Sequence, residues 1–195
     1  VPTVKDAEYF ANAFNTIQDL IEKGLVIAGH DISAGGMITT LLEMCFANTN
    51  GGLKVSLDEL AETDIVKILF SENPGVIIQA KDRSVEKLLK DAEVGFARIA
   101  APAAERTIVV EKSGASYRFD IDELRDLWFK TSYLLDRRQS GEVCAKQRFE
   151  NYKKQPLKFN FLPSFTGKMS QYGISPDRKP TGIKAAIIRE KGTNG

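Results

Sequence analysis

The sequence predicts an α/β (α+β) fold, a mixed β-sheet flanked by helices, and three observations carry that expectation. Short apolar runs of strand type alternate with segments of helical periodicity, a hairpin signal lies past mid-chain, and paired glycines stand where one strand hands over to a helix. With 195 residues, 43% hydrophobic and 27% charged, the chain has the composition of an ordinary globular domain. No run approaches the ~18 consecutive apolar residues of a membrane helix, so no membrane partner is expected. Lys and Arg number 27 against 26 Asp and Glu, for a net charge of +1, which gives no global basic field for nucleic acid. The stretch 136–168 nevertheless carries eight basic and three acidic residues. Cys45 and Cys144 are far apart and His30 is the only histidine. A Cys/His zinc set is therefore ruled out, and a reducing, cytoplasmic setting is expected. Val1 in place of Met and an apolar run close to Gly195 suggest a piece of something longer.

The elements follow in order. Phe10, Phe14, Ile17 and Ile21 recur at helical spacing, predicting a helix over 5–23 that Gly24 closes. Residues 25–28 form a short apolar strand, and 37–47 a second helix striped by Ile38, Leu41, Leu42, Cys45 and Phe46. Residues 53–57 alternate as a half-buried strand does, and 58–70 read as helical with an interruption near 62–64. Strands are predicted at 76–80 and 96–100, with Ser84 as N-cap of a helix between them. Strands 107–111 and 117–120 flank Lys112-Ser113-Gly114-Ala115 as a hairpin. Helices over 121–138, with Leu124, Leu127, Trp128, Leu134 and Leu135, and over 140–153 close the domain, with Cys144 expected to be buried. The domain is expected to span 1–155. A linker with four prolines and three glycines then covers 156–182, and 183–195 reads as the first strand of a further, truncated domain.

One constellation carries chemistry. Residues 29–36 read Gly-His-Asp-Ile-Ser-Ala-Gly-Gly between a strand and a helix. Glycines there let a phosphate approach the backbone, first-turn amides favour an anion, and the Ser33 hydroxyl adds a donor. Asp31 beside such a site implies a bridging cation, with Mg²⁺ the natural choice, and His30 would donate to a phosphate or orient the loop. The same residues also suit a purely structural turn, with Gly-Gly for tight packing and Asp or Ser as caps, and the pattern alone leaves both readings open. Residues 71–75, Ser-Glu-Asn-Pro-Gly, read as a turn that can also supply a polar group to a pocket.

The run from Val26 to Met37, continuing through Leu41 to Ala47, resembles the second-half signature of the phosphoribosylformylglycinamidine synthase family in its large, single-chain form. Residues 69–79, the Leu127-Trp128 helix with Arg137, residues 144–150 and residues 179–195 resemble further stretches of that family in the same order. The resemblance implies a fold like the C-terminal domain of aminoimidazole ribonucleotide synthetase. It implies amidation of formylglycinamide ribonucleotide in purine biosynthesis, with ATP and with ammonia from glutamine. By the same resemblance this chain is the second of two related half-sites, the one that holds an auxiliary ATP or ADP with Mg²⁺. Asp31 would be the Mg²⁺ ligand, and Ser33, Gly35, Gly36 and His30 the nucleotide contacts, with no catalytic residue in this stretch. Synthase domains would precede it and a glutamine amidotransferase domain would begin at 183. Members commonly carry Asp after the motif serine, where this chain has Ala34, which removes one carboxylate from the site.

Overall fold

The computed structural model describes residues 3–154 and 159–173, in two units that divide between Lys154 and Gln155. In the first unit, helix α1 (Ala7–Glu22) starts where the Asp6 carboxylate accepts the Tyr9 N–H. It ends at Gly24, whose φ of 65° lets the Leu25 N–H turn back to the Leu20 carbonyl. Leu20 is buried, whereas Phe10, Phe14 and Ile21 are exposed. Strand β1 (Val26–Asp31) pairs antiparallel with β3 (Val76–Ala80) in a two-stranded sheet. Helix α2 (Gly36–Phe46) lies between β1 and β2 (Gly52–Ser56), and α3 (Ile65–Phe70) precedes β3. Helix α4 (Ser84–Asp91) follows β3, then β4 (Ala100–Ala103), β5 (Thr107–Lys112) and β6 (Ala115–Asp120). The second sheet runs β4-β2-β5-β6, with β2 and β5 parallel and the outer pairs antiparallel. Helices α5 (Ile121–Ser140) and α6 (Glu142–Glu150) close the unit.

The mixed sheet flanked by helices is as expected, but the strands divide into two sheets rather than one. Four further differences have local causes. The first strand extends through His30 and Asp31, because β3 pairs with them as far as Val76. The strand expected at 96–100 begins only at Ala100. Residues 96–99 are instead held from two sides: Arg98 N–H donates to the Glu59 carboxylate in the loop before α3, and the Ile99 carbonyl accepts from the N–H of Ser56, the last residue of β2. Pro102 is accommodated in β4 because the strand lies at a sheet edge. Arg83, not Ser84, is the N-cap of α4, and the Asp82 carboxylate accepts the Ser84 N–H. Cys144 is exposed, since α6 buries Ala145 beside it. The hairpin forms with Ser113 and Gly114 both at positive φ, the geometry whose twist suits a two-residue connection.

The larger core gathers around α2. Ile38, Leu41 and Cys45 pack with Val55 of β2, Ile108 and Val110 of β5, Leu69 of α3 and Ile121 of α5. A smaller core joins Leu20 of α1 to Val85 and Leu89 of α4. The two cores are separate because α1 and α4 share the two-stranded sheet rather than the larger one. Burial raises the Cys45 thiol above its usual range, against the lowering effect of nearby Arg106.

Charged groups tie the closing helices to this core. Lys112 is buried and donates through Nζ to the Leu57 and Leu60 carbonyls. Arg125, also buried, donates to the Phe149 carbonyl and stacks its guanidinium over Tyr152 at 3.7 Å and Phe129 at 4.5 Å from the ring centres. Asp122 accepts from Arg106 Nε at 3.0 Å and pairs with Lys153, while Arg106 also donates to the Cys45 and Gly51 carbonyls. Leu127, Trp128, Leu134 and Leu135 of α5 remain exposed.

In the second unit, Phe161 and Phe165 stack at 4.6 Å between ring centres, with Phe159 and Tyr172 beside them. The Gln171 side chain accepts the Thr166 N–H and donates to the Ser164 carbonyl. Part of the expected linker is therefore locally organised. The strand expected at 183–195 lies outside the described residues.

Two outcomes test this packing. Gly36 has a φ of +72°, and a Cβ there would stand 2.7 Å from the Leu69 carbonyl oxygen and the Phe70 backbone. Gly36→Ala is expected to cost more than about 2 kcal/mol in chemical denaturation, against about 1 kcal/mol for Gly114→Ala, where φ is positive but the space is open. The second concerns Asp122. Burial pushes its carboxyl up, but hydrogen bonds from Lys153, Arg106 and Tyr152 outweigh this and hold it below the usual value of 3.8. Its stabilising contribution is thus full above pH 3.8 and is lost as pH falls through the lower native value. Asp122→Asn should remove that part of the acid limb of a stability–pH curve followed by urea denaturation.

Candidate functional site

The residues singled out by sequence meet at the β1–α2 junction. His30 and Asp31 are the last two residues of β1, Ser33 and Ala34 form the exposed turn, and Gly35 and Gly36 open α2. Asp31 points outward, with 76% of its side chain exposed. Its backbone is nonetheless fixed, because the buried Thr40 hydroxyl, one turn into α2, donates to the Asp31 carbonyl at 3.1 Å. The next residue, Ile32, donates its N–H to the Gly75 carbonyl at 2.8 Å. Its carboxylate lies 3.5 Å from His30 Nδ1, and an exposed carboxylate on an anchored backbone can turn toward a ligand without disturbing the strand.

His30 is not free in the same way. Its Nδ1 lies 2.8 Å from the Asp31 carbonyl oxygen, and its Nε2 lies 3.1 Å from a carboxylate oxygen of Glu43 on α2. The ring therefore braces β1 against α2. Glu43 and Thr40 are site residues that sequence reasoning missed. The available signal was the one charged residue of α2, two turns along the helix, at the spacing that returns it to the face of Gly36.

The two glycines do different work. Gly35 sits at φ +85° as the residue before α2, and its N–H donates to a Glu72 carboxylate oxygen at 2.9 Å. Gly36 is where the C-terminal end of α3 presses against the start of α2, with the Leu69 carbonyl and Phe70 backbone occupying the space a side chain would need. The segment 71–75 is a turn, as read, and Glu72 is the polar group it delivers. The N-terminal end of α2 thus already faces a carboxylate and a helix C-terminus of the same chain.

Whether these residues suit Mg²⁺ can be judged from the donors. Among the described residues no group of three or more His, Cys, Asp or Glu is arranged to hold a metal ion. Asp31 supplies one exposed hard-oxygen donor group, with His30 Nδ1 beside it. That fits an ion held by one or two carboxylates together with phosphate oxygens and water, as Mg²⁺ commonly is, rather than an all-protein cage. No helix among the described residues is long and apolar enough to cross a membrane.

Sheet, helices and junction together define an α/β domain whose polar loop lies between a strand and a central helix. The family described as AIR synthase related protein, C-terminal domain, matches residues 1–113, and the chain belongs to that family. Over its whole length it is 33% identical to human phosphoribosylformylglycinamidine synthase, and it spans 15% of that protein. It is 34% identical, again over its whole length, to an Arabidopsis thaliana relative named as a chloroplastic/mitochondrial phosphoribosylformylglycinamidine synthase, of which it spans 14%. Among solved structures, PurLQS from Thermotoga maritima matches with a TM-score of 0.53 at 20% identity, covering 61% of this chain and 22% of that one. T. maritima PurL complexed with ATP gives 0.51 at 17% identity, and PurL complexed with FGAR gives 0.52 at 19%. Each covers 58% of this chain, and 21% and 20% of its own respectively. At these identities the structures show a shared fold.

The brace between strand and helix predicts an energetic coupling. A double-mutant cycle of His30→Ala and Glu43→Ala, followed by urea denaturation, should return a coupling of about 1 kcal/mol. Independent, additive effects would show that the contact contributes nothing.

Proposed function

We propose that this chain is part of a phosphoribosylformylglycinamidine synthase, a carbon–nitrogen ligase of purine biosynthesis. The enzyme amidates formylglycinamide ribonucleotide using ATP and glutamine-derived ammonia. The observation that carries this reading is identity of about a third, along the whole chain, to two relatives of that name. The chain would form the C-terminal half of the synthase portion, followed by a linker to residue 182 and, from 183, the start of a glutamine amidotransferase domain. Its cellular setting on this reading is the cytoplasm.

Within the enzyme, the β1–α2 junction would hold an auxiliary ATP or ADP rather than the reacting one. Asp31 is the exposed carboxylate that would meet Mg²⁺, whose charge would offset the repulsion between phosphate and carboxylate. Ser33 lies exposed at the turn and would donate its hydroxyl to a phosphate oxygen, and the Gly35 and Gly36 backbone would border the same phosphates. His30, braced by Glu43, would position the loop more than contact the ligand. Ala34 offers no second carboxylate. No residue of this chain is assigned to bond making, and the chain alone is expected to be inactive. A second reading, a scaffolding module without nucleotide, is favoured by the Glu72 carboxylate already seated on the Gly35 N–H.

Asp31→Ala in the full enzyme separates these readings. On the auxiliary-site reading, nucleotide and Mg²⁺ retained after gel filtration should fall by at least roughly tenfold, with a lower melting temperature from the lost linkage. Unchanged retention would favour the scaffold. A drop in kcat with retention and melting temperature intact would instead place Asp31 in the reaction.

A further inference from the structure

We infer that Glu72 is an autoinhibitory stand-in for phosphate, which makes nucleotide binding at the β1–α2 junction depend on a divalent cation; this rests on the nucleotide-site reading above. Glu72 is 37 residues from Gly35 in sequence and belongs to the turn between α3 and β3, yet its carboxylate takes the Gly35 N–H at 2.9 Å. The residue is exposed, and this single hydrogen bond is what seats its carboxylate on the junction. It is therefore held by little and can swing away without unpacking the core. The backbone around it is held much more firmly. Gly36 is wedged against Leu69 and Phe70, and the Gly75 carbonyl is bonded to the Ile32 N–H. The α3–β3 turn is thus fixed on both sides of a side chain that is itself loosely attached.

An incoming phosphate at this junction meets two negative groups, Asp31 in the open and Glu72 on the amide it would use. Both penalties have the same remedy. A divalent cation carried with the nucleotide neutralises the phosphate, engages Asp31 and leaves Glu72 to yield a single hydrogen bond. Free nucleotide lacks that compensation and must displace Glu72 against like-charge repulsion. The carboxylate so works as a filter against metal-free anions, and it caps α2 while the site is empty.

The test is isothermal titration of the full chain with ADP, once with excess EDTA and once with saturating Mg²⁺. Wild type, Glu72→Gln, Glu72→Ala and Asp31→Ala are compared. Removing the Glu72 charge should tighten metal-free ADP by roughly tenfold while changing Mg²⁺–ADP by less than about threefold, so the cation requirement shrinks. Asp31→Ala should weaken Mg²⁺–ADP and leave the metal-free arm nearly unchanged. If wild type binds Mg²⁺–ADP but the Glu72 variants keep the full cation requirement, the filter is refuted and the nucleotide site stands. If both Glu72 variants weaken both arms, Glu72 is a ligand or a structural cap, and the filter is again refuted. Absence of binding in every variant with Mg²⁺ present overturns the nucleotide reading itself, and the filter with it.

Discussion

The close approach at Gly36 is the constraint on which the rest of this domain depends. Helix α2 is the common neighbour of β1, α3, α5 and the larger sheet, and its apolar face supplies Ile38, Leu41 and Cys45 to the main core. Its position along its own axis is set where α3 ends against it. There the backbone of Leu69 and Phe70 fills the volume any side chain at residue 36 would need. Helix C-terminal carbonyls beside a helix N-terminus also place opposite partial charges together. A steric requirement and an electrostatic preference therefore choose the same arrangement. From that point the strand before α2 is fixed by Thr40 on the Asp31 carbonyl and by Glu43 on His30.

Much of this was legible in the sequence, and the misses are instructive. The helix over 37–47, the hairpin around Ser113-Gly114 and the turn at Pro74-Gly75 rest on local chemistry: a periodic stripe, a positive-φ pair, a turn composition. Local chemistry is what sequence displays. The division into two sheets, the late start of β4 and the exposure of Phe10, Phe14, Leu127 and Leu135 depend on which elements meet, and periodicity does not encode the partner. An amphipathic helix announces an apolar face; it does not announce that the face is covered. Cys144 failed for the same reason. Its neighbour Ala145 is the buried residue, and a shift of one position on a helix turns a side chain by about 100°.

The junction lies where the motif was read, between β1 and α2, and its residues differ in how exposed they are. Asp31 and Ser33 are exposed as a ligand site requires, whereas His30 is occupied on both ring nitrogens and Gly36 is needed by α3. The two glycines differ in what the fold asks of them. Gly36 is structural by its geometry. Gly35 keeps an amide that can serve a ligand. Glu72, the residue that decides how available that amide is, lies 37 positions away. Nothing in the spacing of the motif could have pointed to it.

These arrangements bear on why such a junction can persist in a domain with no assigned bond-making residue. A nucleotide that only holds domains together must bind tightly and specifically, and it must not be replaced by inorganic phosphate or other small anions. An open helix N-terminus with paired glycines would accept any of them, because dipole and amides recognise charge rather than identity. On the proposed reading, seating a carboxylate on the Gly35 amide would raise the threshold for all anions together. An exposed Asp31 would lower it again only for an anion that arrives with a cation. The discrimination would then come from two side chains of like charge, one anchored at its backbone by Thr40 and the other delivered by the α3–β3 turn. With Ala34 offering no further carboxylate, that discrimination would rest on Asp31 and Glu72.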